Sequence, residues 1–99
     1  MAQVIFHRLA QREYLKAFDH YAVISPELAA GFKEEIDKAI GRISESPKLW
    51  PPFGKSFRWA MTKRFPYILY FQVHDDNVEI LAVSHSRRRS AYWKGRRYY

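Results

Sequence analysis

The chain has no cysteine among its 99 residues, and this absence removes several classes of protein at once. Disulfide bonds, thiolate-bound metals and cysteine nucleophiles are all excluded. No apolar run approaches the roughly 18 to 20 residues of a membrane span, and the first residues lack the apolar core of a signal peptide. We therefore expect a cytoplasmic protein with no membrane partner.

Other common chemical signatures are missing as well. His7, His20 and His74 are scattered without metal-ligand spacing, and the chain contains no glycine-rich phosphate loop and no pair of catalytic carboxylates. We expect no metal and no cofactor.

Acidic residues are scarce in the second half of the chain. Residues 1–54 hold seven Lys or Arg and seven Asp or Glu, whereas residues 55–99 hold ten and three, which supplies the whole formal charge of +7. Residues 84–99 contain six Lys or Arg, four aromatic residues and no acid at all. Such a surface favours a polyanionic partner, either a nucleic acid or an acidic protein segment.

The first half of the chain predicts a strand followed by two helices. Residues 4–6 are a short apolar run typical of a strand, and residues 8–23 carry apolar side chains at helical spacing. Ser25 and Pro26 form a helix start signal, and Pro47 ends the apolar pattern that follows. An antiparallel helical hairpin is expected.

The second half predicts a loop and then a sheet. Residues 47–56 contain three prolines and a glycine, which indicate a loop, with Trp50 and Phe53 packed on the core. After it the apolar period changes from 3.6 to 2, so three strands are predicted, at residues 57–61, 67–73 and 78–84. The fold class is α+β, with a three-stranded antiparallel meander packed on the helices, in one domain spanning residues 1–99.

Several fragments, in this order and spacing, resemble the RelE/ParE superfamily of toxins from bacterial type II toxin–antitoxin systems. The fragments are His7-Arg8-Leu9-Ala10, Ser25-Pro26-Glu27-Leu28-Ala29, Ile43-Ser44-Glu45-Ser46-Pro47, Arg64-Phe65-Pro66-Tyr67 with Tyr70, Ile80-Leu81-Ala82-Val83-Ser84-His85-Ser86-Arg87-Arg88, and Tyr92-Trp93. The resemblance implies a small growth-inhibiting toxin in a hetero-oligomer with a cognate acidic antitoxin, ParD-like or RelB-like.

The superfamily contains two activities, which leave two expectations open. RelE-like members cleave mRNA on the ribosome, and for that activity the resemblance suggests His85, Arg87, Arg88 and Tyr92 as catalytic residues. Three strand positions where such nucleases carry basic residues fall on Trp59, Met61 and Ile68, which cannot neutralise a phosphate. The long second helix and these departures favour the ParE-like branch, whose members inhibit DNA gyrase.

The residues expected to contact the target are basic or aromatic side chains of the second half. They are Arg58, Lys63, Arg64, Arg87, Arg88, Arg89 and Trp93. Trp93 has packing of the chain end onto the sheet as an alternative role. A third reading of the whole chain is a non-toxic relative that only binds its antitoxin.

Overall fold

A computed structural model describes residues 2–89 and 91–96 of the chain. It shows a strand, two helices and then the remaining strands of one five-stranded sheet, which confirms the predicted α+β fold. The two helices cover one side of the sheet. We call the opposite side the far face.

The helical hairpin begins and ends where its capping residues predict. Helix α1 spans Arg8–Ile24, and α2 spans Pro26–Glu45. The Ser25 hydroxyl accepts a hydrogen bond from the Leu28 backbone N–H at 3.0 Å, so it caps α2 as the start signal predicts. In the described part of the chain, neither helix is long and apolar enough to cross a membrane.

The sheet has the order β1-β5-β4-β3-β2. Its strands are β1 (Gln3–Phe6), β2 (Pro52–Phe53), β3 (Phe57–Met61), β4 (Tyr67–His74) and β5 (Asn77–His85). Strands β3, β4 and β5 form the predicted antiparallel meander, whereas β1 pairs with β5 in parallel. A parallel pair is possible here because the whole helical hairpin makes the crossover connection.

The predicted loop at residues 47–56 needs a correction. It contains a short 3-10 turn at Pro47–Leu49 and the two-residue strand β2, which pairs with the start of β3. Gly54 has a φ of 68°, a conformation that glycine adopts without steric cost, and it allows the chain to turn back sharply into β3. Trp50 and Phe53 are half-buried against the sheet's two apolar clusters, as predicted.

The main core lies between the helices and the sheet. Phe32 and Ile36 of α2 are fully buried there against Leu69 and Phe71 of β4 and Ile80 of β5. Phe32 is the centre of an aromatic group, with the Phe65 and Tyr67 ring centroids 5.5 and 5.3 Å away. This core joins both halves of the chain.

A second, smaller core lies on the far face. Its fully or nearly buried members are Tyr70, Leu81, Ala82 and Trp93, with Phe57 packed at its edge. Residues 91–96, which we call the C-terminal segment, form turns that carry Trp93 over the sheet. The Trp93 ring stacks on Tyr70 with a centroid distance of 4.6 Å and meets Phe57 edge-on at 4.8 Å. The chain end therefore closes the far face.

Candidate target-binding surface

The basic residues of two separate turns gather at one end of the sheet. The turn between β3 and β4 and the turn after β5 are neighbours because Tyr67 pairs with His85 in the sheet. The Ser86 backbone N–H also donates to the Pro66 carbonyl at 2.7 Å. The exposed basic residues of these turns are Lys63, Arg64, Arg87, Arg88 and Arg89, which we call the cationic end.

Most of this charge has no acidic partner. Among the ion pairs within 4.0 Å in residues 2–89 and 91–96, only one involves the cationic end, from Arg88 Nη1 to Glu13 Oε2 at 3.5 Å. Exposed like charges that are not neutralised raise the local potential and attract anionic groups. Four of the five basic residues of the cationic end therefore remain available to a partner.

Glu35 of α2 fixes the β3–β4 turn that carries Lys63 and Arg64. Its Oε1 accepts the backbone N–H groups of Lys63 and Arg64 at 3.0 and 3.3 Å. The hydrogen bond from the Lys63 backbone, more than any other cause, lowers the pKa of the Glu35 carboxyl group. Because the carboxylate bonds the backbone, it orders the turn while both basic side chains stay exposed.

Gly31 of α2 leaves room for the Arg64 guanidinium. A Cβ atom at Gly31 would lie 3.3 Å from Arg64 Nη1 and 3.6 Å from the Phe65 ring. The guanidinium also lies 5.3 Å from the centroid of the Phe65 ring, in cation–π geometry. The helix surface thus sets the position of one of the five basic groups.

His85 lies at the end of β5 beside an aromatic group on the helix side of the sheet. Its ring meets Tyr67 edge-on at 5.3 Å, and Tyr67 in turn packs against Tyr21 of α1. His85 Nδ1 accepts the Arg87 backbone N–H at 3.1 Å, so the imidazole caps the turn that carries the arginines. Burial raises the pKa of Tyr67, which keeps its hydroxyl neutral at physiological pH.

Tyr92, the other proton-carrier candidate, lies on the far face. It packs against the small core of that face, and its hydroxyl donates to Glu13 Oε2 at 2.7 Å. Burial is the main cause that raises the pKa of Tyr92; the contact with Glu13 raises it further, whereas the contacts with Ser84 and Arg88 lower it. The Tyr92 ring packs in the far-face cluster, whereas the His85 ring packs against Tyr67 of the helix-side aromatic group. No hydrogen bond or ring contact joins His85 to Tyr92 in the described part of the chain.

Glu13 of α1 is the acidic residue that bonds the C-terminal segment to the rest of the protein. Its carboxylate takes two bonds from the Arg96 guanidinium, at 2.9 and 3.0 Å, and one from the Val83 backbone N–H at 3.0 Å. With the Tyr92 hydroxyl and the weaker contact to Arg88, it links α1, β5 and the C-terminal segment. Its side chain is only 15% exposed. Such charge-assisted, bidentate bonds are among the strongest in proteins.

Glu13 and Arg96 bond backbone groups of β5 that the shorter strand β1 does not reach. Strand β1 ends with Phe6 opposite Ile80, so β5 continues past it without a neighbouring strand on that side. Glu13 accepts the Val83 N–H, and Arg96 Nη1 donates to the Leu81 carbonyl at 2.9 Å. Two side chains thus satisfy backbone groups that would otherwise be buried without partners.

Sequence reasoning missed Glu13, although a signal for it exists. The lack of acids in residues 84–99 suggests arginines without internal partners, and for Arg88 and Arg96 this is wrong because they pair with Glu13, which lies 75 and 83 residues earlier in the chain. Glu13 follows Ala10 by three residues and precedes Ala17 by four, so it shares the helix face of the two buried residues of α1. A carboxylate on an apolar helix face predicts a buried cationic partner.

Two of the expected target contacts lie elsewhere. Arg58 pairs with Phe71, about 13 Å along β4 from Tyr67 at a rise of about 3.3 Å per residue, and its guanidinium donates to the Trp50 carbonyl at 2.6 Å. It is therefore outside the cationic end. Trp93 is fully buried, so its predicted contact with a target is wrong for this structure, and its alternative packing role is the observed one.

Comparison with known proteins assigns this arrangement to a family. The family model described as "ParE toxin of type II toxin-antitoxin system, parDE" matches residues 4–90. The chain belongs to the ParE toxin family. It is 26% identical over 80 residues to Toxin ParE2 of Mycobacterium tuberculosis, in both strain CDC 1551 / Oshkosh and strain ATCC 25618 / H37Rv. The match covers 80% of this chain and 76% of each relative.

A solved structure shares the fold of this ParE family member. A chain of the chromosomal ParDE TA system from P. aeruginosa superposes with a TM-score of 0.74 at 22% identity. The match covers 86% of this chain and 96% of that one. The predicted resemblance to RelE/ParE toxins, and its preference for the ParE branch, are confirmed. The protein is a type II toxin of the ParE family.

Proposed function

We propose that this ParE-family toxin arrests growth by binding DNA gyrase through its cationic end. The observation that carries the proposal is the set of four exposed basic side chains without ion-pair partners in the described part of the chain: Lys63, Arg64, Arg87 and Arg89. Three elements hold these groups in place: the Glu35 bonds to the β3–β4 turn, the His85 cap and the main-chain bond between the two turns. A prearranged charged surface increases affinity because little side-chain and loop entropy is lost on binding.

The geometry supports a binding role over RNA cleavage. A metal-independent nuclease needs a base, an acid and cations that converge on one phosphate. The His85 and Tyr92 rings pack in different clusters, and the Tyr92 hydroxyl is already bonded to Glu13. The side chains at the strand positions Trp59, Met61 and Ile68 are uncharged and cannot neutralise a phosphate.

The proposal includes an acidic antitoxin, ParD-like in view of the family, as the partner that keeps the toxin inactive. The solved relative with the same fold comes from a ParDE toxin–antitoxin system. A net charge of +7 suits an acidic segment that folds on binding, and such association weakens as salt screens the attraction. We expect the complex to be a hetero-oligomer of toxin and antitoxin.

Supercoiling of relaxed plasmid by purified gyrase tests the target. The wild-type toxin should inhibit supercoiling at micromolar concentration or below. The variant Arg87→Ala with Arg89→Ala should need at least about tenfold more toxin, which corresponds to about 1.4 kcal/mol of binding free energy. This pair spares Arg88, which has an internal contact with Glu13.

The matched control removes two charges elsewhere. The variant Lys38→Ala with Lys48→Ala loses two exposed lysines outside the cationic end and should inhibit like the wild type. Equal loss of inhibition in both variants would show that only net charge matters. No inhibition by wild-type toxin, together with codon-dependent mRNA cuts in a translating extract, would replace the gyrase proposal with the nuclease. Neither effect, with normal growth on expression, would indicate a non-toxic relative.

A further inference from the structure

A cavity between the C-terminal segment and the rest of the protein contains a buried carboxylate that the proposed function does not use. The cavity has a volume of about 610 Å³ and lies on the far face, near the turn between β4 and β5. Glu79, Gln72 and Phe57 line it from the sheet, and Lys94 and Arg96 line it from the C-terminal segment. It is separate from the cationic end, because Glu79 pairs with Gln72, five residues along β4 from Tyr67.

Among the described residues that line this cavity, Glu79 is the only acidic one, and its side chain is only 7% exposed. Oε1 is 3.2 Å from His74 Nε2, whose side chain is 55% exposed. Oε2 is buried and has no hydrogen-bond partner within residues 2–89 and 91–96. A buried carboxylate oxygen without a donor destabilises the free protein. A ligand that supplies the donor would remove this cost, and the gain would appear as binding free energy.

Lys94 and Arg96, the cationic residues described in the cavity lining, form no ion pair with Glu79. The Arg96 guanidinium is bonded to Glu13 and to the Leu81 carbonyl. The Lys94 ammonium lies over the Phe53 ring at 5.3 Å from its centroid. Lys94 is therefore the one lining cation without an acidic partner in the described part of the chain, and the cavity presents one carboxylate and one ammonium group to an occupant.

We propose that this cavity binds an arginine side chain of the partner segment, flanked in that segment by a carboxylate that pairs with Lys94. A guanidinium presents paired N–H donors, so it can replace His74 at Oε1 and supply Oε2 with its missing donor. The Phe57 ring in the wall offers a face on which a guanidinium stacks. The inference rests on the proposed antitoxin partner, and it gives one basic residue in an acidic segment the role of fixing the segment's register.

A nucleotide fits this cavity less well than an arginine. The Glu79 carboxylate would repel a phosphate, and the Arg96 guanidinium is not available to bind one. Among the described lining residues, only Lys94 would attract a phosphate without an acidic partner of its own. The charge pattern favours a mixed-charge peptide.

The test uses two synthetic peptides and the complete chain. The probes are acetyl-Glu-Arg-Glu-amide and acetyl-Glu-Ala-Glu-amide, titrated into isotope-labelled protein while the backbone amide signals of Gln72, Glu79 and Lys94 are followed by NMR. We expect the arginine peptide to bind at least tenfold more tightly than the alanine peptide. The Glu79→Gln variant should lose this preference, and the Glu34→Gln control, which loses one exposed carboxylate on α2, should keep it.

Three outcomes would overturn the inference. They are equal affinity of the wild type for both peptides, a preference that survives Glu79→Gln, or signal shifts at the same amides with guanosine monophosphate that Glu79→Gln removes. The comparison of the two peptides on wild-type protein decides the matter even if Glu79→Gln does not fold. Because neither growth arrest nor supercoiling is read, a failure here leaves the gyrase proposal standing, and failure of the gyrase proposal leaves this result interpretable.

Discussion

The two faces of the sheet are covered in different ways. On one face, a hairpin of two helices spanning Arg8–Ile24 and Pro26–Glu45 buries a continuous apolar core. The other face is covered by the six residues of the C-terminal segment, which are held there by the buried Trp93 ring and by hydrogen bonds to the Glu13 carboxylate. The helix side depends on many apolar contacts, whereas the far face depends on a few specific ones.

This difference has a consequence for function. The three arginines of the cationic end and the C-terminal segment both follow β5, so part of the charge presented to a partner is close in sequence to the least extensively packed part of the protein. Regions with few buried contacts open at lower free energy than the main core. We therefore expect substitutions on the two faces to differ in size and in how far their effects spread.

The largest effect should follow loss of Phe32 from the main core. Phe32→Ala removes a fully buried ring that contacts aromatic residues of α1, the β3–β4 turn and β4, and the cavity left behind should lower the free energy of unfolding by about 3–5 kcal/mol. Urea denaturation measures it. Leu49→Ala, at a side chain that is 83% exposed, is the control and should change little. A loss below about 1 kcal/mol for Phe32→Ala would contradict the description of this core.

The Glu13→Gln substitution should detach the far face selectively. It removes the charge that holds Arg96 and Tyr92 and leaves the Arg96 guanidinium partly buried without a counter-charge. We expect a loss of about 2 kcal/mol, below the value of about 3–5 for fully buried pairs because Glu13 remains 15% exposed. Hydrogen exchange should quicken at the Val83 amide more than at the Phe71 amide.

Glu34→Gln is the matched control for that experiment, because it removes one carboxylate from an exposed helical ion pair. It should leave the exchange of Val83 unchanged. Uniform quickening across the sheet in Glu13→Gln would mean that the two faces unfold together, and the comparison drawn above would fail.

Gly31→Ala should increase the stability of the protein while displacing the Arg64 side chain. Alanine favours the helix by about 0.8–1 kcal/mol over glycine, but the added methyl group would lie 3.3 Å from Arg64 Nη1. Because the guanidinium is the end of a flexible side chain, we expect a gain of about 0.5 kcal/mol together with weaker gyrase inhibition. Unchanged inhibition by the stabilised variant would remove Arg64 from the binding surface.

Ala91→Gly should stabilise the start of the C-terminal segment slightly. Ala91 has a φ of 76°, in the left-handed region, which costs an L-residue roughly 1 kcal/mol relative to glycine. Glycine also gains entropy in the unfolded chain, so the net gain expected is about 0.5 kcal/mol. Thermal unfolding measures this gain in stability, with Gly95→Ala as the paired control. A destabilised Ala91→Gly variant would contradict the left-handed conformation of Ala91.

The smallest effect concerns pH and the β3–β4 turn. The pKa of Glu35 is lower in the folded than in the unfolded protein, so its stabilising contribution is present above the unfolded pKa of about 4.3 and is lost as the pH falls through the folded value. The difference in unfolding free energy between wild type and Glu35→Gln should be about 0.5 kcal/mol or less at pH 7 and should decrease as the pH falls through the folded pKa of Glu35. A difference that stays constant over this range would exclude the carboxylate bonds to Lys63 and Arg64.

Patterns local in sequence predicted most of the fold. Apolar spacing and the Ser25-Pro26 signal placed both helices, and the change to a period of two placed β3, β4 and β5 within one or two residues. The parallel position of β1 and the two-residue strand β2 were not predicted, because their pairing depends on distant chain segments and on the turn at Gly54.

The candidate site was predicted only in part, for a related reason. The basic residues of the two turns were recognised, but the separation of Arg58 from them depends on strand register, and the burial of Trp93 depends on the path of the chain after β5. Glu13 lies about 70 or more residues from its partners in the chain. Only tertiary contacts decide whether such a carboxylate is exposed or buried. The assignment of residues 1–99 to one domain stays a prediction, and Ser90, Arg97, Tyr98 and Tyr99 of the basic stretch lie outside the described residues.

The central claim is that the C-terminal segment closes the far face by placing Trp93 on the sheet. Proton–proton nuclear Overhauser effects in the wild-type protein test it most directly, with the contacts between Phe32 and Phe65 of the main core as an internal reference. We predict contacts of similar strength from the Trp93 indole to the Tyr70 and Phe57 rings, whose centroids lie 4.6 and 4.8 Å away. Strong signals within the main core together with none from Trp93 to these rings would contradict the account.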